Sequence, residues 1–157
     1  MLVSGGKSIY GARIGILMLE AQFPRIPGDM GNAETWPFPV LYKIVRGATP
    51  DRVVRKNAEG TLDRFIAAAE ELISDGADAI TTNCGFLSIF QKELSAAVRV
   101  PVLTSSLMQV STVNMLLPDS KKAGILTISK STLGDAHLRA ANVPSDTPIG
   151  TTEDGAE

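Results

Sequence analysis

The sequence of 157 residues is long enough for one domain whose core needs no disulfides. Hydrophobic residues make up 44% and charged residues 20%, which is a globular rather than a disordered composition. The net charge of −2 and the scattered basic residues give no indication of a nucleic-acid or anionic-membrane partner. The single cysteine excludes an intramolecular disulfide and a cysteine-rich metal site, and it fits a reducing cytosol.

Residues 1–12 are interpreted as a flexible terminus. Within them, Ser4-Gly5-Gly6-Lys7-Ser8 is similar to a phosphate-binding loop, but Met1 stands where the Walker pattern requires a glycine. The longest apolar run near the start, Ile14 to Leu19, is too short to span a membrane, and no signal-peptide pattern precedes it. A soluble, cytoplasmic protein is therefore expected.

The first predicted strand, residues 13–19, is an almost continuous apolar run, which is typical of a strand buried on both faces. Glu20 places a carboxylate at its carboxyl end. Residues 21–39 are rich in proline and glycine, which predicts a long ordered loop. Residues 40–45 are interpreted as a short strand. The aromatic residues of the loop either anchor it to the body or form a lid over a site: Phe23, Trp36 and Phe38.

A helix is predicted over residues 62–73, because apolar residues recur at the three-and-four spacing of one helix face. Gly76 fits the left-handed residue after its end. The second strand, residues 77–82, follows and leads to Cys84. The same alternation then continues through a helix ending near Ala97, a strand at 100–103, a helix at 107–117, a strand at 122–128, a helix at 132–141 and a strand at 148–152.

This alternation predicts an α/β fold with a mostly parallel sheet flanked by helices. Hydroxyls, amides and helix starts around a thiol would suit a small carboxylate. No dinucleotide fingerprint or cluster of metal ligands is present, so neither a cofactor nor a metal is predicted. His137 is interpreted as a surface or half-buried helix residue. Four strand ends are expected to converge on one rim: Glu20, Thr82-Asn83-Cys84, Thr104-Ser105-Ser106 and Ser129-Lys130-Ser131.

Cys84 has two interpretations. A thiol placed just before a helix meets positive backbone dipoles, which favour the thiolate. The alternative is a buried cysteine that acts as a small apolar residue. The flanking segment Thr81-Thr82-Asn83 and the glycine at position 85 favour a functional thiol.

The segment Thr81-Thr82-Asn83-Cys84-Gly85, with Ile14-Gly15-Ile16-Leu17 before it and Gly124-Ile125-Leu126-Thr127 after it, resembles the aspartate/glutamate/hydantoin racemase superfamily. The resemblance extends from about residue 13 to the end. It implies a flavodoxin-like βαβ half of a pseudo-symmetric fold and a cofactor-independent enzyme. In such enzymes two cysteines, one from each half, face opposite sides of the substrate α-carbon. One thiolate removes the α-proton and the other thiol returns a proton.

On this resemblance, Cys84 is the acid/base of the first half, acting on aspartate, glutamate, hydantoin or a similar small carboxylate. Many family members have Asn-Thr directly after this cysteine. Here Gly85-Phe86 follows, which favours a bulkier or less polar ligand. The residues implied to hold the substrate carboxylate, by side chain or backbone, are Thr82, Asn83, Gly85, Ser105, Ser106, Thr127 and Ser131.

The resemblance also implies that residues 13–117 form the first α/β half. Residues 118–157 would be the incomplete start of a second half, whose partner cysteine is not in this sequence. The leading hypothesis is an isomerase of the amino-acid racemase type. A non-catalytic small-carboxylate binding domain and an inactive fragment are the alternatives. Apolar surface left uncovered by such a half-fold would favour self-association into a homo-oligomer.

Overall fold

The computed structural model describes residues 11–153 and residue 155. The segment that is similar to a phosphate loop, and all but two residues of the predicted flexible terminus, lie outside these residues. Short 3-10 turns at Gly85–Phe90 and Ser106–Gln109 lead directly into helices, and Asp51–Arg55 forms one π-helical turn. The strands and α-helices of the described part are, in chain order, β1 Ile14–Leu19, β2 Val40–Val45, α1 Leu62–Ser74, β3 Ala79–Thr82, α2 Gln91–Ala97, β4 Val102–Leu103, α3 Val110–Leu116, β5 Ile125–Thr127, α4 Asp135–Ala140 and β6 Ile149–Thr151.

Strands β1 to β4 form one parallel sheet in the order β2-β1-β3-β4. Helices flank this sheet, so the predicted α/β architecture with a mostly parallel sheet is confirmed. Because these strands all run the same way, the segments that follow β1, β3 and β4 leave the sheet at one edge. That edge is where the sequence places its polar side chains.

The core is packed around β1 and α1. Ile16 and Leu17 of β1 and Phe65 of α1 have no exposed surface. A Cβ atom at Gly15 would lie only 2.7 Å from the Ile80 side chain, so a glycine here permits close packing on β1. Gly76 follows α1 with a φ of +104°, as predicted. The longest described helix, α1, has 13 residues, and none of the described helices is long and apolar enough to cross a membrane.

Strands β5 and β6 pair in parallel as a separate two-stranded sheet. This differs from the single sheet that the alternation of elements indicates. Each of these strands has only three residues, and the remainder of the two predicted segments is irregular backbone. Their surroundings are also less well covered: Leu126 and Ile128 are 77% and 65% exposed, and Met115 and Leu116 of α3 are 78% and 79% exposed.

The long loop of residues 21–39 is ordered by contacts of its own. The indole Nε1 of Trp36 donates to the Met30 carbonyl oxygen at 3.1 Å, and the Tyr42 hydroxyl donates to the same oxygen at 2.8 Å. Phe23 and Phe38 are largely exposed. Trp36 therefore acts as an anchor, and none of the three aromatic residues lines the cleft described below.

Candidate active site

A cleft of about 540 Å³ opens where the segment after β3, the turn after β4 and strand β5 meet. No charged side chain lines it within the described part of the chain, so a bound carboxylate would be held there by neutral donors. Its polar lining comes from Asn83, Cys84, Ser106, Gln109 and Thr127. Its walls are mainly apolar side chains: Phe86, Leu107, Val110, Val113, Ile125, Leu126, Ile128 and Leu133.

The structure brings five of the eight predicted site residues to this cleft: Asn83, Cys84, Gly85, Ser106 and Thr127. The strand-end carboxylate of Glu20 is not among them. It accepts hydrogen bonds from the Gly47 amide at 2.7 Å and from Arg46 Nη1 at 2.9 Å, and both contacts lower its pKa. Glu20 therefore closes the loop after β2 instead of facing a ligand.

Two predicted site residues, Thr82 and Ser105, are buried behind the cleft. The Thr82 hydroxyl donates to the Thr104 carbonyl oxygen at 2.7 Å and accepts from the Cys84 amide at 3.3 Å. The Ser105 hydroxyl accepts from the Leu107 amide at 3.1 Å and so begins the 3-10 turn that follows. These bonds tie the end of β3 to the end of β4, and they hold in place the backbone that carries the cleft residues.

Cys84 is held as a neutral thiol. It is partly buried, and burial raises the pKa of the thiol to about 11, although a hydrogen bond from the Phe86 amide acts in the opposite direction. Desolvation disfavours the charged form of an acid, and one backbone donor does not compensate for it here. This reverses the sequence-based expectation that the following helix start favours the thiolate.

Neutral hydrogen-bond donors line the same cleft as the thiol. Asn83 Oδ1 accepts from the Leu19 amide at 2.9 Å, which orients the side chain and leaves its NH₂ group as the donor for a ligand. The backbone amides of Gly85 and Ser106 begin the two 3-10 turns and donate to no acceptor in the described part of the chain. Donors oriented before a ligand arrives stabilise negative charge without reorganisation.

Thr127 and Ser131, both predicted to bind substrate, have different surroundings. Thr127 lines the cleft, and its hydroxyl accepts from the Ser129 amide at 3.4 Å. Ser131 lies outside the cleft and donates through its amide to Glu153 Oε2 at 3.2 Å. Hydrogen bonds from Ser131 and Ser129 lower the pKa of the Glu153 carboxyl to about 2. Sequence reasoning missed Glu153, although a carboxylate just after a predicted strand was the signal that singled out Glu20.

His137 corrects a sequence-based prediction, because it is only 1% exposed rather than on the surface or half buried. Its ring lies edge-on to that of Phe86, with centroids 5.4 Å apart, and neither ring nitrogen has a hydrogen-bond partner among the described residues. Burial lowers its pKa, so the imidazole is neutral. The Ser88 hydroxyl donates to its backbone oxygen at 3.0 Å. His137 therefore packs α4 against the turn that follows Cys84.

Gln109 lines the cleft but was not predicted as a site residue. The sequence predicted a helix over its segment and did not reveal the 3-10 turn that exposes its side chain. Within the described ranges, no group of three or more His, Cys, Asp or Glu side chains could hold a metal ion. The expectation that no metal or cofactor takes part stays a prediction.

Comparison of the sequence with known proteins identifies lyases as relatives. A dimethylsulfoniopropionate lyase from Durusdinium sp. clade D is 27% identical over 132 residues, and dimethylsulfoniopropionate lyase 7 from Emiliania huxleyi (strain CCMP1516) is 30% identical over 101 residues. These matches cover 83% and 64% of this chain but 44% and 30% of the relatives, so the chain spans less than half of their length. No family model matches the sequence.

Comparison of the structure with solved structures identifies an aspartate racemase and an aspartate racemase homologue as neighbours. Picrophilus torridus aspartate racemase superposes with a TM-score of 0.50 and 20% identity, covering 88% of this chain and 62% of the racemase. An aspartate racemase homologue from Pyrococcus horikoshii OT3 gives a TM-score of 0.52 and 14% identity, covering 92% of this chain and 66% of the homologue.

Together these findings define the fold of the protein. It has the α/β fold of the aspartate racemases, and the predicted resemblance to that superfamily is confirmed for the fold. The sequence relatives carry a related but different activity, which the sequence motifs alone did not predict.

Proposed function

We propose that this chain is the thiol-bearing part of an enzyme that moves a proton at the carbon next to the carboxylate of a small substrate. The observation that carries the proposal is the position of Cys84, a thiol in a largely apolar cleft at a strand end. Donors from Asn83, Gly85 and Ser106 lie around the same cleft. A carbanion next to a carboxylate spreads its charge onto the carboxylate oxygens, and these neutral donors would stabilise that charge.

The protonation state of Cys84 sets its role. A thiol whose pKa is about 11 is protonated near neutral pH, so it is ready to give a proton to one face of the substrate carbon. To act as the base it must first lose its proton. A positive charge on the ligand, brought close to the sulfur, would lower the pKa of the thiol and favour that loss.

In the racemase version of the proposal, Cys84 is one of two acid/base thiols acting on aspartate, glutamate, hydantoin or a similar carboxylate. The sequence has one cysteine, so the second thiol would come from outside these residues. The separation of the β5–β6 sheet from the four-stranded sheet supports the division into segments 13–117 and 118–157. The racemase fold supports this version.

In the lyase version, the same proton transfer leads to elimination. Removal of the α-proton of dimethylsulfoniopropionate would break the carbon–sulfur bond, with its electron pair leaving on sulfur, and give acrylate and dimethyl sulfide. Two observations favour this version. The sequence relatives are dimethylsulfoniopropionate lyases. In addition, the uncharged cleft and the protonated Cys84 suit a substrate whose own sulfonium charge promotes ionisation of the thiol.

The test is proton exchange at the α-carbon. The protein is incubated in deuterated water with a panel of amino acids, hydantoins and dimethylsulfoniopropionate, and exchange is followed by NMR while dimethyl sulfide is measured by gas chromatography. Exchange with inversion supports the racemase version, and release of dimethyl sulfide supports the lyase version. Exchange without either outcome supports proton transfer by a single thiol.

The variants Cys84→Ala and Cys84→Ser should abolish whichever activity is found, because neither side chain supplies a group of suitable pKa. Thr112→Ala is the matched control, since Thr112 is exposed on α3 outside the cleft. Activity that persists in folded Cys84→Ala would overturn the role of the thiol. Saturable binding of carboxylates without Cys84-dependent exchange would support the alternative, a non-catalytic binding domain.

A further inference from the structure

His137 is a buried imidazole that makes no hydrogen bond. It is 1% exposed, and neither Nδ1 nor Nε2 has a partner among the described residues. Burying a polar group without a hydrogen bond is unfavourable, so an apolar side chain would pack here at a lower cost in free energy. The imidazole adds one property that an apolar side chain lacks, which is a charge that depends on pH.

His137 holds α4 against the turn of residues 85–90, which follows Cys84. Its ring lies edge-on to that of Phe86, with the centroids 5.4 Å apart. The Ser88 hydroxyl, which is fully buried, donates to the His137 carbonyl oxygen at 3.0 Å. Because α4 has only six residues, its position depends on contacts of this kind more than on the stability of the helix itself.

Two residues of the cleft depend on this docking of α4. Phe86 lines the cleft, and its backbone amide donates to the Cys84 thiol. Leu133 also lines the cleft, and only Gly134 separates it from the start of α4. Withdrawal of α4 would remove the ring that packs on Phe86 and would displace Leu133. The cleft would then open on the side of the thiol.

Within the described part of the chain, the elements that pack against His137 supply no counter-charge. The turn of residues 85–90 has no titratable side chain, and neither has α3, which contacts the end of α4. On α4 itself, the side chains of Asp135 and Arg139 are exposed and pair with each other at 3.6 Å. Cys84, directly before the turn, is a neutral thiol. A protonated imidazole in the docked position would therefore be a buried, unpaired cation, which is strongly unfavourable.

We propose that His137 makes closure of the Cys84 cleft depend on pH. While the imidazole is neutral, α4 stays docked on the turn and Phe86 is held in place. Protonation in mild acid releases α4 by local opening, and Cys84 becomes accessible while the four-stranded sheet stays folded. The inference does not depend on the proposed function, because it concerns access to the thiol and not the reaction of a substrate.

Mild acid favours the released state because that state binds the proton more readily. Burial lowers the pKa of His137 from 6.5, although the backbone of Gly134 acts in the opposite direction. In the released state the ring is in water and has its ordinary pKa. The docked state is therefore fully favoured above about pH 6.5 and becomes less favoured as the pH falls below that value, by up to about tenfold for each pH unit.

The experiment measures access to Cys84 with 4,4′-dithiodipyridine, a thiol reagent that reacts in mild acid. The rate is followed by absorbance and divided by the rate for glutathione at the same pH, which cancels the pH dependence of the reagent and of thiolate formation. In the wild-type chain this ratio should rise severalfold, and by up to about tenfold, as the pH falls from about 7.5 to about 5.5. Circular dichroism at each pH monitors the fold.

His137→Phe keeps an aromatic ring against Phe86 and removes the titration, so its ratio should stay constant over this range. Asp135→Asn is the matched control, because it removes an exposed charge from α4 and leaves the imidazole in place; it should keep the wild-type profile. A wild-type ratio that does not rise in acid, or that rises equally in His137→Phe, would overturn the proposal. A rise that accompanies general loss of the helical signal would overturn it too. If His137→Phe does not fold, His137→Leu serves with the same expectations.

Protonation of the ring is also measured directly, because His137 is the only histidine of the sequence. Its Hε1 resonance is followed by ¹H NMR, and the midpoint in the folded chain should lie below pH 6.5. A midpoint at or above that value would show that docking does not penalise the charged ring, and the proposal would be wrong. Failure of every substrate in the exchange assay would leave these results unaffected, so the two proposals are tested separately.

Discussion

Cys84 and Glu153 both follow a parallel strand, but their surroundings shift their ionisation in opposite senses. Cys84 lies against the apolar walls of the cleft, and burial raises its pKa to about 11, which favours the neutral thiol. Glu153 lies on the surface, and hydrogen bonds from Ser131 and Ser129 lower its pKa to about 2, which favours the charged carboxylate. A position at a strand end therefore does not decide the charge of a group. Desolvation and the number of donors decide it.

The difference also divides the chemistry between the two regions. The surroundings of Cys84 favour a protonated group that can donate its proton. The surroundings of Glu153 favour a carboxylate that stays deprotonated. An enzyme that transfers a proton next to a carboxylate needs both kinds of environment. In this chain they occur after β3 and after the paired strands β5 and β6.

The largest expected effect is on the reactivity of Cys84. Because the pKa of the thiol is raised from 9.0 to about 11, the thiolate fraction at about pH 8 falls about a hundredfold. Alkylation by iodoacetamide should therefore be about a hundredfold slower in the folded chain than in urea. The rate is measured by mass spectrometry of the intact protein across a pH series.

The control for this prediction is the pH profile itself. A thiol that is slow because it is protonated speeds up as pH rises towards 11, whereas one that is slow because it is inaccessible does not. If the folded chain reacted as fast as the unfolded chain near neutral pH, the claim that Cys84 and Glu153 are shifted in opposite senses would be wrong. Cys84 would then be a thiolate, as the helix start after it suggested from the sequence alone.

The pKa shifts of Cys84 and Glu153 show why the sequence predicted the fold better than the candidate site. The apolar run of β1 and the helical periodicity of α1 are local patterns, and both elements were predicted within two residues of their observed bounds. Cys84 could be placed at a strand end by the same means. Its pKa could not be predicted, because it depends on burial in a cleft whose lining comes from distant segments, with Val113 and Leu133 among the lining residues.

Contacts between distant segments also explain why the burial of His137 and the role of Glu153 were not predicted from the sequence. His137 is buried because α4 packs on the turn after Cys84, a contact between residues 49 positions apart that joins His137 to Ser88. Glu153 reaches the turn of residues 129–131 because β6 pairs with β5. Strand pairing of this kind is set by tertiary packing, so motif reasoning could name Ser131 but not its partner.

An intermediate effect is expected from removing one hydroxyl in each region. Thr82→Val leaves the buried Thr104 carbonyl oxygen without its donor, which should lower the free energy of unfolding by about 1–3 kcal/mol. Ser131→Ala removes an exposed donor and should change stability little. Urea unfolding followed by circular dichroism measures both.

Thr82→Ser is the control for the buried site, since it keeps the hydroxyl and should retain most of the stability lost in Thr82→Val. Equal losses in Thr82→Val and Ser131→Ala would contradict the distinction between a buried hydrogen-bond network at β3 and a solvent-exposed one after β5.

The smallest effect is the pH dependence that Glu153 contributes. Its pKa is lowered from 4.5 to about 2 in the folded chain, so the unfolded chain takes up the proton more readily. The stabilising contribution is therefore fully present above pH 4.5 and is lost as the pH falls from 4.5 towards about 2. Glu153→Gln should remove this part of the acid dependence in urea titrations.

Asp146→Asn is the comparison, because the Asp146 pKa is lowered by a hydrogen bond from Lys122 and by the charge of Lys122. High salt should screen the contribution of Asp146 and leave that of Glu153, whose donors are neutral, nearly unchanged. Equal screening of the two would mean that charge, and not the hydroxyl and amide donors of residues 129–131, holds Glu153.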